Sequence, residues 1–323
     1  MNSKQTRYPL GCFPTPIHNL DNVGRSLDID LRIKREDLSG LAAGGNKVRK
    51  LEYLIADAKA KQATTLVTAG AHQSNHVLQT VAAARKAGMR AIAFLPGPRP
   101  EKFVGNLFFD RLLGAEIEFL VSDRFFEEVP GYMSNCQREL AKRGERAYVV
   151  PVGGSNALGS LGYVDCAYEM ASQYADSGLN APDYVVVVTG SVGTYAGLVA
   201  GCSDAWPRTR VLGIVVNQYQ FSRRENVVQL TNDVAQLAGI QRQWTAEELY
   251  LDYDYVGPGY GIRSEAGDSA IALVAQKEGV LLDPTYTGKA FAGLLGNVRS
   301  GAIPLGSQVL FVHTGGAIAN FVD

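Results

Sequence analysis

A run of four valines, Val185 to Val188, constrains the fold of this chain more than any other feature. The run is apolar without alternation, which is typical of a strand covered on both faces. Similar β-rich runs recur along the chain, and stretches of helical period separate most of them. This alternation requires crossover connections, so the sequence predicts an α/β fold with mostly parallel sheets. The predicted strands are residues 31–34, 64–68, 91–95, 115–120, 147–151, 184–189, 211–216 and 308–313.

The length of the chain indicates more than one domain. It has 323 residues, which is more than a single hydrophobic core usually serves. There is no long linker, but a glycine-rich segment at 152–156 follows a predicted strand and precedes a helix. We predict a large domain formed by residues 1–48 and 158–323 and a small domain formed by residues 49–157. Each is expected to be an open, mostly parallel twisted sheet flanked by helices.

Composition excludes several classes of protein. The chain is 46% hydrophobic and 20% charged, as in an ordinary globular protein, and its formal net charge is -1, so it lacks the basic footprint of a nucleic-acid binder. The apolar runs are too short to cross a bilayer, and no secretory signal is apparent. Cys12, Cys136, Cys166 and Cys202 match no metal or redox spacing, which favours reduced thiols in a cytoplasmic protein.

Lys47 directly follows two glycines and one asparagine at the predicted start of a helix. Apolar residues recur at three- and four-residue spacing from Val48 onward, and Asn46 is a suitable N-cap. The positive end of the helix, together with Arg49 and Lys50, disfavours another positive charge. Lys47 is therefore expected to be a reactive amine that forms a Schiff base. The alternative is a solvated lysine at a helix start.

A second candidate site is the segment at 189–194, which follows the valine-rich strand and precedes a helix. Gly190 and Gly193 allow a close backbone approach, and Ser191 and Thr194 add hydroxyl donors beside free N–H groups. This pattern favours an anion site, although a tight turn is the alternative. The dinucleotide fingerprint and the Walker lysine are both missing.

Three further loops carry candidate binding residues. Gln73, Ser74 and Asn75 precede a helix and could present donors to a carboxylate, or Ser74 and Asn75 could simply cap that helix. Tyr260 and Tyr286 each lie in a turn-forming segment and could stack on a flat ring or relay a proton, although packing is the usual role of a tyrosine. We predict no metal site, because the two histidines near Ser74 lack the accompanying glutamate.

Taken together, these segments resemble the ACC deaminase and D-cysteine desulfhydrase family. This family is a branch of the tryptophan-synthase-β-like, fold-type-II pyridoxal phosphate enzymes, and the resemblance runs from Phe13 to Gly316. The motifs that carry it are GGNKVRKLE, QSNH, TGSVGT, PGYG, DPTYTGK and HTGG. It implies that pyridoxal phosphate binds in the cleft between the two domains.

The resemblance also implies a role for each candidate residue. Lys47 would form the Schiff base, Asn75 would bind the 3-hydroxyl of the cofactor, Tyr286 would stack on its ring, and Tyr260 would approach the substrate. The implied catalytic residues are Lys47, Ser74, Tyr260 and Tyr286. The implied cofactor-binding residues are Lys47, Lys50, Asn75, Gly190, Ser191, Val192, Gly193, Thr194, Tyr286, Thr287 and Thr314. The implied substrate-binding residues are Gln73, Ser74, Asn75 and Tyr260.

One departure from the family pattern bears on the reaction. ACC deaminases carry a glutamate after the ring-stacking tyrosine, whereas this chain has Thr287, with Thr314 as its expected neighbour at the ring nitrogen. A hydroxyl does not stabilise a pyridinium, so the ring would be a weaker electron sink. This favours β-elimination of D-cysteine to pyruvate, hydrogen sulfide and ammonia. L-Cysteate is the second choice of substrate, followed by other Cβ-substituted alanines and ACC.

The resemblance further implies a homodimer that acts on a small amino acid, without nucleic-acid or membrane partners. Two readings from other classes remain open. Ser155 lies in a segment close to a nucleophile elbow, with His313 as a distant base, which would indicate a serine hydrolase. The chain could also be a catalytically silent binding protein that keeps the fold.

Overall fold

The computed structural model describes residues 5–322, which form two sheets flanked by helices. The strands are β1 Ile17–Asn19, β2 Asp30–Arg35, β3 Thr65–Ala69, β4 Arg90–Pro96, β5 Glu116–Leu120, β6 Ala147–Val149, β7 Tyr184–Thr189, β8 Arg210–Val215, β9 Tyr250–Asp252 and β10 Gln308–His313. The helices are α1 Asp21–Leu27, α2 Lys47–Ala60, α3 Asn75–Lys86, α4 Gly105–Leu112, α5 Phe125–Lys142, α6 Ala157–Asp176, α7 Gly193–Ala205, α8 Arg224–Ala238, α9 Glu265–Glu278 and α10 Thr287–Arg299.

The larger sheet has six strands in the order β1-β2-β10-β7-β8-β9. Only the edge strand β1 runs antiparallel to its neighbour among these described strands. Strand β7 is central, and its side chains alternate between two cores. Val185 and Val187 pack with residues of α6 and α7, whereas Val186 and Val188 pack with residues of α9 and α10. Burial on both faces explains why the valine run shows no polar alternation.

The smaller sheet has four parallel strands in the order β5-β4-β3-β6. Its strands fall between residues 65 and 149. Helices α2, α3 and α4 contribute to the core on one face of this sheet, and α5 contributes to the core on the other. The α/β class with two mostly parallel sheets is therefore confirmed, whereas the domain boundaries at 48/49 and 157/158 stay a prediction.

All eight predicted strands are present, with ends that differ by at most two residues. The sequence did not indicate β1 and β9, which are three-residue strands at the two edges of the larger sheet. Edge strands bury little, so they carry only a weak hydrophobic pattern. Among the described helices, none combines the length and apolarity needed to cross a membrane.

The fold brings the carboxyl ends of strands from both sheets to one place. The segments that follow β3, β7, β8 and β10 all contribute residues to a single cavity. Ligands in open parallel sheets bind beyond these strand ends. The cavity is therefore the candidate functional site.

Candidate active site

Most of the residues singled out in the sequence lie on the wall of this cavity. The predicted residues that line it are Lys47, Ser74, Asn75, Gly190, Ser191, Val192, Thr194, Tyr260, Tyr286 and Thr314. Four others, Lys50, Gln73, Gly193 and Thr287, are not among its lining residues. Their contacts show where each of them lies instead.

Lys47 is the first residue of α2, and its side chain faces the cavity. Burial lowers the pKa of its ammonium to about 8. Roughly a tenth of the Lys47 side chains are therefore uncharged at pH 7. Among the residues that the structure describes, none is hydrogen-bonded to the Lys47 amine. The lowered pKa agrees with the expected reactive amine, but its cause is loss of solvent and not the neighbouring positive charges.

Asn46 lies at the start of α2 but does not cap the helix with its side chain. Its amide Nδ2 donates to Thr194 Oγ1 across 2.8 Å instead. This corrects the expected capping role of Asn46. The bond joins the residue before Lys47 to the first turn of α7, so the lysine is held next to the segment at 189–194.

The segment at 189–194 ends at the N-terminus of α7, and Val192 adopts a left-handed backbone conformation there with φ of 60°. Behind the segment lies Ser155, whose hydroxyl accepts from the Gly193 N–H at 3.2 Å and donates to Ser191 Oγ at 2.9 Å. Lys50 Nζ donates to the same hydroxyl at 3.1 Å. A loop with free N–H groups, two hydroxyls and a lysine behind it is suited to a phosphate.

Lys50 thus supports the loop from behind and does not reach the cavity wall. Burial, together with the charge of Lys47, holds the pKa of Lys50 well below its usual value. The role of Ser155 in this loop was missed in the sequence, where only a hydrolase elbow was considered. The glycines beside it, Gly153 and Gly154, were the available signal.

The serine-hydrolase reading does not agree with the geometry. The Ser155 hydroxyl is bonded to Lys50 and Ser191, as described above. The His313 ring is bonded to the carbonyl of Leu281 through Nε2 and accepts from the N–H of Gly315 through Nδ1. His313 therefore does not act as a base for Ser155.

The start of α3 presents two donors to the cavity. Ser74 caps α3 by accepting from the Val77 N–H at 3.2 Å, and its own hydroxyl proton is left to donate elsewhere. Asn75 accepts from the side-chain amide of Asn106 through Oδ1 at 2.8 Å, which directs its NH₂ group away from that bond. Ser74 is therefore both a cap and a candidate ligand-binding residue.

Gln73 is positioned differently from the expectation. Its amide donates to the carbonyl of Val104 at 3.1 Å, and its oxygen accepts from the Asn106 N–H at 2.8 Å. Both ends of the side chain are thus occupied by the start of α4. Gln73 supports the loop that carries Ser74 and Asn75 and does not line the cavity.

His76 lines the cavity but was considered in the sequence only as a metal ligand. Its Nε2 lies 2.7 Å from the hydroxyl of Thr68 at the end of β3. Burial, together with the charges of Lys47 and Lys50, holds the pKa of His76 well below its usual value. The imidazole is therefore neutral near pH 7 and contributes no positive charge to the cavity.

Tyr260 and Tyr286 form a pair on the opposite side of the cavity. Their hydroxyl oxygens are 2.5 Å apart, and their ring centroids are 6.0 Å apart. Burial raises the pKa of Tyr260 to about 12 and that of Tyr286 well above its usual value. Both phenols therefore keep their protons at neutral pH, and one of them donates its proton to the hydroxyl of the other.

Thr287 does not face the cavity, in contrast to the expectation that its hydroxyl meets a ring nitrogen. Its hydroxyl donates to Asp283 Oδ1 at 2.7 Å and accepts from the Asp283 N–H at 2.8 Å. The Asp283 carboxylate also accepts from the N–H groups of Thr285, Tyr286 and Thr287 at the start of α10. Both residues therefore close the helix end, and Thr314 alone of the two threonines lines the cavity.

Comparison with known proteins identifies the family. Residues 8–315 match the model of a family described as pyridoxal-phosphate dependent enzyme. The chain belongs to this family. Its cofactor is accordingly pyridoxal phosphate.

Curated relatives match nearly the whole chain. The D-cysteine desulfhydrase of Klebsiella pneumoniae is 41% identical over 325 residues, which cover 98% of this chain and 96% of the relative. The D-cysteine desulfhydrase of Serratia proteamaculans is 42% identical over 312 residues, which cover 95% of this chain and 92% of the relative. The chain is thus similar to both along almost its full length.

Solved structures show the same fold. The crystal structure of an ACC deaminase homologue has a TM-score of 0.89 and 38% identity, and the match covers 98% of this chain and 94% of the homologue. The structure of O-ureido-L-serine synthase has a TM-score of 0.69 and 17% identity, covering 96% and 91% of the two chains. At that identity the second likeness concerns the fold alone.

Proposed function

We propose that this pyridoxal phosphate enzyme is a lyase that converts D-cysteine to pyruvate, hydrogen sulfide and ammonia. The main support for this proposal is that none of the described residues lining the cavity is an aspartate or a glutamate. A ring nitrogen bound there would have the Thr314 hydroxyl and no carboxylate available to it, so the ring would be a weak electron sink. Loss of a Cβ leaving group tolerates such a sink better than opening of a cyclopropane.

The residues present fit the cofactor. The N–H groups at the start of α7 and the Ser191 hydroxyl suit its phosphate. The Tyr286 ring lines the cavity and is suited to stack on a flat ring. Lys47 offers an amine for the aldehyde. We assign the 3-hydroxyl to the free NH₂ group of Asn75.

We assign the substrate contacts to the loop before α3 and to Tyr260. The Ser74 hydroxyl and the N–H groups at the start of α3 receive the substrate carboxylate. Tyr260, which is held by its bond to Tyr286, contacts the substrate from the other side. These contacts fix the amino acid so that its Cα proton faces a base.

We assign the role of that base to Lys47. Its pKa of about 8 provides a free amine near neutral pH, whereas the Tyr260 and Tyr286 phenols keep their protons. Pyridoxal phosphate, when bound, supplies the sink for the electrons left on Cα. Once the substrate amino group has replaced it at the aldehyde, the freed Lys47 amine removes the Cα proton, the Cβ–sulfur bond breaks, and hydrosulfide leaves with the bonding electron pair. Hydrolysis of the remaining enamine gives pyruvate and ammonia.

A substrate screen tests this proposal. Purified enzyme supplied with pyridoxal phosphate is incubated with D-cysteine, L-cysteine, L-cysteate and ACC, and keto acids are identified by mass spectrometry. We expect the highest kcat/KM with D-cysteine, together with one sulfide per pyruvate. Sulfite release from L-cysteate alone would identify a sulfo-lyase, and turnover of ACC alone would overturn the elimination argument. A yellow protein without turnover of any of them would indicate a silent binding protein.

Lys289 is expected to position Tyr260. Its buried Nζ donates to the carbonyls of Val256 at 2.7 Å and Gly259 at 2.8 Å, and so holds the loop that carries Tyr260. In Lys289→Met this loop loses both bonds, and a displaced substrate contact lowers kcat/KM by about ten- to a hundredfold. Steady-state kinetics with D-cysteine measure the effect, which we expect mainly in KM.

The matched control is Lys277→Met, which removes an exposed lysine from α9. It should leave both kinetic constants unchanged. If Lys289→Met folds and shows the KM and kcat of the parent enzyme, the loop does not need this lysine and the positioning role is excluded.

We also propose that the enzyme is a cytoplasmic homodimer. Val104, Phe108 and Leu112 form an exposed apolar stripe at four-residue spacing, which begins at the residue before α4 and ends at its last residue, and Leu112 is 67% exposed. Such a stripe is suited to a second copy of the chain. Light scattering is expected to give the mass of two chains, and Leu112→Glu is expected to shift it toward one. A single-chain mass for the parent protein would contradict the dimer.

A further inference from the structure

Five aromatic side chains form a continuous wall along one side of the cavity: Phe126, Tyr219, Phe221, Tyr260 and Tyr286. The Phe126 and Tyr219 ring centroids are 4.5 Å apart, and Phe126 lies 6.3 Å from Tyr260. Tyr260 continues the wall to Tyr286 at 6.0 Å. We call these residues the aromatic wall. Three of its residues, Phe126, Tyr219 and Phe221, lie outside every motif recognised in the sequence. Tyr286, at its other end, is the tyrosine assigned to stack on the cofactor ring.

Phe126 differs from the other members because it belongs to α5, which packs on the smaller sheet. Tyr219 and Phe221 follow β8 of the larger sheet. The contact between Phe126 and Tyr219 therefore bridges the two sheets across the cavity. Phe126 is partly exposed and touches the rings on the far side, so it sets the width of the cavity at this point.

The wall offers no partner for a full negative charge. Among the described residues that line the cavity, Lys47 is the sole lysine or arginine, and His76 is neutral. Lys47 is already committed to the cofactor and to the Cα proton. An ionised group buried against aromatic rings without a partner is strongly disfavoured. A thiol sulfur, in contrast, packs favourably against aromatic rings.

We propose that Phe126, supported by Tyr219, is the specificity-determining residue that restricts the Cβ substituent of the substrate to a small, uncharged group. The proposal rests on the proposed function and deepens it, because it selects a thiol over a sulfonate. The ring of Phe126 limits the length of the substituent, and the absence of a cation on the described part of the wall excludes a sulfonate. We call this restriction of the Cβ substituent the filter. Phe126 is assigned no bond to the cofactor, so the filter can be measured separately from the reaction.

Binding of unreactive amino acids tests the filter without turnover. The holoenzyme is titrated with DL-alanine and DL-norvaline, and the change in visible absorbance of the cofactor gives a dissociation constant for each. Racemic ligands make the result independent of substrate handedness. In Phe126→Ala we expect the preference for alanine over norvaline to fall by about tenfold or more, since each extra methylene then finds space. Phe126→Leu should fall between this variant and the parent enzyme.

The matched control is Phe125→Leu. Phe125 precedes Phe126 in α5 but is buried in the core against the smaller sheet and does not line the cavity. The Phe125→Leu variant should keep the preference for alanine over norvaline of the parent enzyme. A preference within twofold of the parent in Phe126→Ala, or an equal change in Phe125→Leu, would overturn the filter.

The test separates the filter from the proposed function. If D-cysteine is not turned over but the preference shifts in Phe126→Ala, the filter stands and the proposed function fails. If D-cysteine is turned over and the preference does not shift, the filter fails and the proposed function stands. Turnover of L-cysteate by the parent enzyme at a rate equal to that of D-cysteine would also exclude the filter.

Discussion

Replacing Lys47 with alanine is expected to lower kcat/KM for D-cysteine by at least about a thousandfold. The variant loses both the amine that reacts with the cofactor aldehyde and the base that removes the Cα proton, and loss of a base alone costs about two to four orders of magnitude. Pyruvate formation by the purified holoenzyme measures the effect.

The control for this prediction is Lys59→Ala, which removes an exposed lysine from the same helix, α2. It should retain the activity of the parent enzyme. The Lys47→Ala variant should still bind pyridoxal phosphate reversibly, because Ser191 and the N–H groups at the start of α7 are unchanged. Equal activity in Lys47→Ala and the parent enzyme would remove Lys47 from the mechanism, whatever the substrate.

The second large effect is expected for Arg49→Met, which breaks a buried ionic network two residues after Lys47. Arg49 donates to both carboxylate oxygens of Glu36, at 2.6 and 2.9 Å, and also to Glu169. The Glu36 carboxylate further accepts from Tyr163 at 2.9 Å and from Thr15 at 2.5 Å. Glu36 and Arg49 are almost completely buried.

Without Arg49, Glu36 keeps a buried charge that has lost its main partner. We expect the free energy of unfolding to fall by about 3–5 kcal/mol. Urea unfolding followed by circular dichroism measures it. The matched control is Arg124→Met, since Arg124 forms a solvent-exposed ion pair with Glu127 and its loss should leave the free energy of unfolding nearly unchanged. A loss below about 1 kcal/mol in Arg49→Met would contradict the expected role of the network.

The effect of Arg49→Met should also depend on pH. Burial raises the pKa of Glu36, but the charges of Arg49 and Lys34 outweigh this and hold it below its usual value. A lowered carboxylate pKa stabilises the fold above the usual pKa of glutamate, and this contribution is lost as pH falls through the folded value. The difference in stability between the parent enzyme and Arg49→Met should therefore narrow below about pH 4.5.

Much of the fold was predictable because short stretches of sequence indicate its strands and helices. The valine run of β7 and the helical period after Lys47 each describe a stretch of fewer than fifteen residues. The segments that line the cavity are likewise short motifs, which is why Lys47, Ser191 and Tyr286 were already candidates in the sequence. The edge strands β1 and β9 were missed because three residues with little burial leave almost no pattern.

The remaining features of the site depend on contacts between distant residues. Asn46 and Thr194 are 148 positions apart, and their bond replaces the helix cap that the local pattern favoured. Thr287 follows a cavity residue directly, but the start of α10 turns its hydroxyl back to Asp283. Phe126 belongs to no motif, and only the packing of α5 brings it to the cavity.

Borohydride reduction followed by peptide mapping tests the central claim most directly. The holoenzyme, prepared with ample pyridoxal phosphate, is reduced, digested and examined by mass spectrometry. We expect one pyridoxyl-modified peptide, with the modification on Lys47, and loss of the visible absorbance. A modification on Lys50 or Lys289 instead, or an unmodified Lys47 in fully loaded enzyme, would contradict it.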